Sequence, residues 1–305
     1  MLVWARDWLQ KKGVDSPRLD AELLLADALK CDRVRLYIDH DKPLSPDELA
    51  RFKQLIQRRA QREPVAYILG VKEFYGRPFA VDKRAFIPRP ETELLVQAAL
   101  QALDERAGKA SETSEKASET SPEKASETSK TPEISQALRV LDLCAGSGAI
   151  GVSIAAEREN VTVDLVELST DAVLVTRQNA ERHGAGRAHV HQGDLFAPLT
   201  PGTRYDVITA NPPYIPATDK PTLAPEIVQH EPALALFGGD DGLVTIRRLV
   251  AEVPRWLSPR GSFFMELDPS QDDAALHLAE RAGLIEATVV KDLAGLSRVL
   301  CARSP

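Results

Sequence analysis

Asn211-Pro212-Pro213-Tyr214 is the stretch whose residue types could do chemistry. The Asn side-chain oxygen and the Pro212 carbonyl are both acceptors, and together they suit a planar NH2 group whose nitrogen must be turned toward an electrophile. Two prolines fix φ and remove two backbone donors, so the carbonyls of this turn can face a substrate instead of closing a local hydrogen bond. Tyr214 adds a flat ring beside them. The chemistry this describes is methylation of an amide or amino nitrogen. A Pro-Pro turn alone does no more than end a strand, so the weight falls on what surrounds it. The preceding residues, Tyr205 to Ala210, are β-branched and apolar and read as a buried strand. Asn211 then sits at the strand's carboxyl end, the edge of an open α/β sheet where ligands bind.

Three more strand ends are needed to hold a cofactor beside that turn. Leu138 to Leu143 reads as a buried strand running into Asp142-Leu143-Cys144-Ala145-Gly146-Ser147-Gly148, where the glycines let backbone approach a ligand as a helix begins. A second strand, Val161 to Val166, ends on Glu167, 19 residues after Gly148, where a carboxylate can accept both hydroxyls of a ribose. The pyrophosphate of a dinucleotide is not indicated, because the third glycine is not at its expected place. A third strand, Ala188 to Gln192, leads to Asp194, placed to meet an adenine amino group, and Leu195, placed to cover its ring. Four strand ends thus present Asp142 and the glycines, Glu167, Asp194 and Asn211. Upstream, Ile87-Pro88-Arg89-Pro90-Glu91-Thr92-Glu93 holds an arginine between two prolines, and we expect Arg89 and Glu91 to face the cofactor pocket. Thr92 or Glu91 can cap the helix that follows.

The remaining chain supplies scaffolding. Residues 1–75 read as a small helical bundle: Trp4, Trp8 and Leu9 recur at helical spacing, Ser16-Pro17 and Ser45-Pro46-Asp47-Glu48 start helices, and Leu19, Leu23, Leu24 and Leu25 point toward a core. Arg51, Lys53, Arg58, Arg59 and Arg62 read as a solvated basic face. Residues 76–93 form a hairpin around Gly76 and a linker, and 94–305 an α/β domain. Within it, residues 104–135 carry Lys-Ala-Ser-Glu-Thr-Ser three times, from Lys109, Lys116 and Lys124, and are expected to be a disordered insertion. Thr170 to about His183 reads as a helix, Glu231 to Gly242 as an ordered loop over the site, and Leu243 to Leu257 as a helix. Strands at Gly261–Leu267, Leu284–Val290 and Ser297–Ala302 complete a seven-stranded sheet, the last two antiparallel across a short turn.

Composition narrows the function. The 305 residues are 43% apolar and 27% charged, ordinary for a globular protein with room for two cores. A formal charge of −7 argues against a protein built mainly to grip nucleic acid. No apolar run is long enough for a bilayer, and the amino terminus lacks a secretory pattern, so a cytoplasmic location is expected. Cys31, Cys144 and Cys301 have no paired spacing and the histidines no metal-ligand spacing, so neither a disulfide nor a metal is expected.

With these motifs in place, the chain resembles the bacterial HemK-type N5-glutamine methyltransferases that modify class I peptide-chain release factors. The resemblance rests on Glu63 to Gly76, Ile87 to Glu93, Asp142 to Gly151, Asn211 to Ile215, Glu231 to Gly242, and Asp292-Leu293-Ala294-Gly295. It implies a Rossmann-like class I methyltransferase fold and use of S-adenosylmethionine. It also implies methylation of the glutamine in a Gly-Gly-Gln motif by a monomer that binds a release factor. By this likeness the cofactor contacts Asp142, Cys144, Ala145, Gly146, Ser147, Gly148, Glu167, Asp194, Leu195 and Asn211. Asn211, Pro212, Pro213 and Tyr214, with Arg89 and Glu91, bind the glutamine; Asn211, Pro212 and Tyr214 do the catalytic positioning. Two departures stand out. Cys144-Ala145 replaces the more usual Gly-Thr, and Glu266-Leu267-Asp268 replaces a Glu-x-Gly ending, which leaves the role of Glu266 open. The rival enzyme reading, an adenine methyltransferase on nucleic acid, calls for a basic groove and a target-reading domain, and neither is visible. A non-catalytic nucleoside-binding adaptor would have no need of Asn211 and the glycines, which are intact.

Overall fold

The computed structural model describes the backbone of residues 1–119 and 137–305, and the side chains of all of these but 109–119. Five helices come first: α1 (Leu2–Lys11), α2 (Pro17–Leu29), α3 (Arg33–Ile38), α4 (Pro46–Ala60) and α5 (Val65–Leu69). Pro17 and Pro46 occupy first-turn positions, where a missing N–H costs nothing. Ser45 and Glu48 form a reciprocal capping box. The bundle core is Ala5, Leu9, Leu24, Phe52 and Ile56. Of the leucines expected toward that core Leu19 is exposed, and Trp4 and Trp8, which share the helical spacing of Leu9, stack on one another at the surface. On α1 and α2 the buried stripe is carried instead by Ala5 and Leu9, and by Ala21, Leu24, Leu25 and Ala28.

Of the basic residues expected to form a solvated face, Arg51, Lys53 and Arg58 are exposed, but Arg59 and Arg62 are drawn inward. Arg59 is buried and donates to Asp20 at 2.7 Å and to Glu226 at 2.9 Å, while Arg62 reaches the other Glu226 oxygen at 2.5 Å. Charge counting along one helix misses this because both acceptors come from elsewhere in the chain.

A hairpin, β1 (Val71–Phe74) and β2 (Arg77–Ala80), turns at Tyr75-Gly76 and inserts Phe74 and Phe79 into the core of the second domain. Its first strand therefore precedes the boundary expected at residue 76. The second domain then runs α6 (Glu93–Glu119), β3 (Leu138–Leu143), α7 (Ala149–Glu157), β4 (Val161–Glu167), α8 (Thr170–His183), β5 (Ala188–Gln192) and β6 (Tyr205–Ala210). It continues with short α9 (Pro225–His230) and α10 (Ala233–Leu236), α11 (Val244–Glu252), β7 (Leu257–Glu266), α12 (Asp272–Arg281), β8 (Ile285–Lys291) and β9 (Ser297–Arg303). The α11 helix stops short of Leu257, its expected end, because Pro254 cannot continue it.

α6 also continues through residues 104–119, which were expected to begin a disordered insertion. Its residues 104–106 are anchored to the domain: Asp104 pairs with Arg158, Arg106 with Asp206, and Glu105 with Arg303. Residues 120–135 of the expected insertion lie outside the described residues.

The sheet has strand order β5-β4-β3-β6-β7-β9-β8, parallel except for β9, which runs antiparallel to β7 and β8. Alternation along β3 sends Leu141 and Leu143 into a core under α11 and α12, and Val140 into a second core under α6 and α7. The chain steps outward from β3 to β5 and then returns to β6 on the other side of β3. That reversal opens a crevice at the carboxyl ends of the strands.

Candidate active site

The loop after β3 alternates in hand. Cys144 (φ 58°), Gly146 (φ 58°) and Gly148 (φ 80°) are left-handed. For Cys144 this is an unfavourable conformation that the surroundings impose. Two loop amides are already engaged: Gly146 N–H donates to Glu167 Oε2 at 2.8 Å and Gly148 N–H to the Ala145 carbonyl at 2.7 Å. A loop committed in this way does not offer the open amide cradle that a pyrophosphate needs.

Asp142 holds this loop from behind. It is fully buried, accepts from Gly151 N–H at 2.9 Å and Thr209 Oγ1 at 2.9 Å, and does not line the crevice. Burial pushes its carboxyl up to about 7, against the two hydrogen bonds that favour the charged form. Gly151 is required here, since a Cβ would lie 2.9 Å from both Asp142 Cβ and Leu165.

Glu167 ends β4 facing the crevice. Its Oε1 accepts Ser169 N–H at 2.8 Å, so both carboxylate oxygens are held by backbone amides, and acceptor capacity remains for a ligand hydroxyl. Burial raises its pKa above the usual carboxylate range, partly offset by those amides. At the end of β5, Leu195 (φ 47°) is buried in the wall, and Asp194 is paired with Arg248 at 2.7 Å at the rim.

Asn211 follows β6, and Asn211, Pro213 and Tyr214 line the cavity, whereas Pro212 between them is buried and does not. The Pro212 carbonyl accepts no hydrogen bond from any described residue. The Pro213 carbonyl likewise accepts none from any described residue, whereas the two carbonyls that follow are taken up. Gln271 Nε2 donates to Tyr214 O at 2.9 Å, and Ile215 O receives Gly238 N–H at 3.0 Å. Glu266, at the end of neighbouring β7, lies beside Asn211 because Ala210 pairs with Met265 in register. It accepts from Tyr214 Oη at 3.2 Å and Thr92 Oγ1 at 2.5 Å, and the Asn211 side chain on the adjoining strand end favours its charged form. Burial raises its pKa and that of the Tyr214 phenol.

Of the pair expected from the 87–93 segment, only Arg89 faces the cavity. Residues Pro90–Thr92 form a 3-10 turn, in which positions three apart share a face. Arg89 and Thr92 therefore point inward and Glu91 outward into solvent, where it lies near Arg298. Thr92 does not cap α6; its hydroxyl is given to Glu266. Arg89 lies over the Phe86 ring at 4.6 Å and is ion-paired with Glu231, whose carboxylate also accepts Ile87 N–H at 3.3 Å. Glu231 begins the segment that covers the site, and Pro232, Leu234, Leu236 and Phe237 supply an apolar wall.

The resulting cavity is about 310 Å³, within the range of small-molecule sites. Of the residues expected to bind cofactor, Cys144, Ala145, Gly146, Ser147, Glu167, Asp194, Leu195 and Asn211 line it; Asp142 and Gly148 do not. Sequence reasoning missed Phe86, Ile227, Thr245 and Arg248 in the wall, and the converging role of Glu266. Only Glu266, an acid at a strand end, carried a local signal. Among the described residues no group of three or more His, Cys, Asp or Glu side chains could hold a metal ion, and no helix is long and apolar enough to cross a membrane.

The geometry can be set beside known proteins. A family model described as the PrmC N-terminal domain matches residues 1–70, and one described as a methyltransferase small domain matches residues 127–253. A release factor glutamine methyltransferase of Geobacter sulfurreducens is 39% identical over 99% of this chain and 95% of its own length. Another, of Rhodopirellula baltica, is 36% identical over 98% and 94%. Among solved structures, the Thermus thermophilus 16S rRNA N2 G1207 methyltransferase, in complex with AdoMet and guanosine, aligns with a TM-score of 0.47 and 22% identity over 77% of this chain and 50% of that one.

Proposed function

The chain belongs to the family of release factor glutamine methyltransferases, and from that premise we infer how its cavity transfers a methyl group to the side-chain amide nitrogen (N5) of a release-factor glutamine. The target is the glutamine of the Gly-Gly-Gln motif of class I peptide-chain release factors. The enzyme works as a cytoplasmic monomer without a stable nucleic-acid partner.

S-adenosylmethionine, when bound, supplies the electrophilic methyl on its sulfonium. The residues present fit it. Glu167 keeps lone pairs for ribose hydroxyls, Cys144 to Ser147 give a closely approachable backbone, Leu195 gives an apolar face, and Asp194 gives an acceptor at the rim. Asp142 and Gly148 support that loop without facing the cavity.

The rest of the work belongs to the substrate side. An amide nitrogen is a poor nucleophile because its lone pair is delocalised, so the site must act through position. Asn211 Oδ1 accepts one amide N–H bond and a backbone carbonyl of the Pro212-Pro213 turn the other, and Tyr214 and Pro213 pack against the amide plane. Alignment of this kind is worth several kcal/mol, up to about 7 to 11 in favourable systems. The same acceptors stabilise positive charge growing on the nitrogen. Arg89, held by Glu231 and Phe86, is placed to receive a backbone carbonyl of the incoming loop.

The observation that supports this reading most is a strand end that puts Asn211 in the cavity wall, followed by a Pro-Pro turn whose carbonyls accept no hydrogen bond from any described residue. The experiment is methyl transfer from labelled S-adenosylmethionine to a purified release factor and to its Gln→Ala variant, with duplex DNA as a parallel acceptor. Label that disappears with the Gln change is expected; label on DNA alone overturns the reading. Asn211→Ala should lower kcat far more than cofactor affinity, and equal loss of both would remove Asn211 from the proposed role.

A further inference from the structure

Three separate pieces of the site converge on Glu266. It is 3% exposed at the carboxyl end of β7. Thr92 reaches it from the 3-10 turn before α6, Tyr214 from beyond β6, and Asn211 from the adjoining strand end. We propose that Glu266 is a positioning residue that fixes the orientation of the Asn211 amide and so makes the site selective for an acceptor bearing an NH2 group. The proposal rests on the glutamine methyltransferase reading given above and names the residue that enforces it.

The Thr92 and Tyr214 hydroxyls and the Asn211 side chain favour the charged form of Glu266 against the burial that raises its pKa, and in that form it can only accept. Thr92 and Tyr214 donate hydroxyl hydrogens to it, one on each oxygen. Asn211 can therefore meet it only with Nδ2–H, and that choice turns Oδ1 the other way, toward the cavity that Asn211 lines. Without such a partner the two ends of an Asn amide are nearly equivalent in shape, and half the molecules would present a donor where an acceptor is needed. With the orientation fixed, an incoming carboxamide meets acceptors with its two N–H bonds. A carboxylate side chain in the same place meets oxygen against oxygen and is rejected. Glu266 touches no reacting atom in this arrangement; it acts through Asn211.

Glu266→Gln tests the idea with little change of shape. It keeps the side chain's size and its capacity to hydrogen-bond, and the Thr92 and Tyr214 hydroxyls can rotate to serve either end of the new amide. It also gives Asn211 a neighbour that can both donate and accept, so Oδ1 is no longer held toward the cavity. The full chain, its Glu266→Gln and Asn211→Ala variants, and the double variant are compared in methyl transfer to a purified release factor, with KM, cofactor Kd and Tm measured for each. The expected result is a fall in kcat of at least about tenfold for Glu266→Gln, with KM, cofactor Kd and Tm little changed. No further fall is expected when the change is made on the Asn211→Ala background. Independent, multiplying losses in the double variant, or a kcat equal to that of the parent, would overturn the proposal while leaving the glutamine reading intact. A parent enzyme that labels no release factor would remove both.

Discussion

Gly238→Ala is the substitution that most directly tests whether the Asn211 turn is held in place from behind. The loop that follows α10 lies against the turn backbone: Gly238 N–H donates to Ile215 O at 3.0 Å, and Ala217 N–H to Gly239 O at 2.9 Å. A Cβ at Gly238 would sit 2.5 Å from the Pro213 carbonyl oxygen and 2.4 Å from that of Gly242, where ordinary contact begins at 3.4 Å. Both obstacles are backbone, so relief requires one segment or the other to move by about 1 Å. Gly238 is not among the left-handed glycines, so the added methyl acts through crowding and not through φ. Displacing a reacting group by about 1 Å costs on the order of 100-fold in rate, and overpacking of this kind costs about 1–3 kcal/mol in stability. The assay is kcat for methyl transfer to a release factor, with cofactor Kd and thermal unfolding followed in parallel. Gly202→Ala serves as the control: its Cβ meets nothing within 4 Å, but its φ of +85° makes the change strained. It should lower stability by roughly 1–2 kcal/mol with kcat unchanged. If Gly238→Ala stays folded and keeps kcat within about threefold of the parent, the turn does not depend on this backing and the reasoning fails.

Three further outcomes follow from the same geometry. The Asp142 carboxyl is held up to about 7 in the folded chain, against 3.8 for an ordinary one, so the unfolded chain gives up this proton first and stability should fall as pH rises from about 4 to 7. In Asp142→Asn that fall should be shallower in urea titrations across the window, and an unchanged slope would show that Asp142 is not its source. Arg59→Ala leaves the buried Asp20 carboxylate without its partner and takes one of two arginines from Glu226. It should cost about 3–5 kcal/mol by chemical denaturation, and a loss below about 1 kcal/mol would mean the network is solvated. The Asp194–Arg248 pair is about half exposed, with side chains 46% and 53% accessible. Arg248→Ala should therefore change stability by less than about 1 kcal/mol and cofactor affinity by less than about threefold. A loss of affinity above tenfold, measured by calorimetry, would give Arg248 a direct part in binding.

Much of the sheet and of the cofactor side was written in local sequence. Strand and helix periods, the glycines after β3 and the acid ending β4 are features of contiguous residues, and the backbone responds to them directly. Apolar β-branched runs can bury themselves only as interior strands, and a breaker at each end marks where the sheet presents its edge. Asn211, Glu167 and Leu195 could be placed on that edge for this reason, and so could the residues of the glycine loop.

What the tertiary structure alone decided is direction and partnership. Arg89 and Glu91 look equivalent in sequence, but a 3-10 turn sends one into the cavity and the other out. Asp142 and Glu167 both end or approach the end of a strand, yet pleat and register turn Asp142 back onto Gly151 and Thr209 while Glu167 faces the ligand side. Arg59 belongs to a basic helix but is neutralised by Asp20 and Glu226, and Glu226 lies 167 residues away. Glu266 gains its meaning only when β7 is laid beside β6 and brings it level with Asn211. Sequence spacing determines what a segment can become, because that is a local balance of burial and backbone freedom. Which polar groups then face one another depends on contacts between distant segments, and those exist only once the chain has folded.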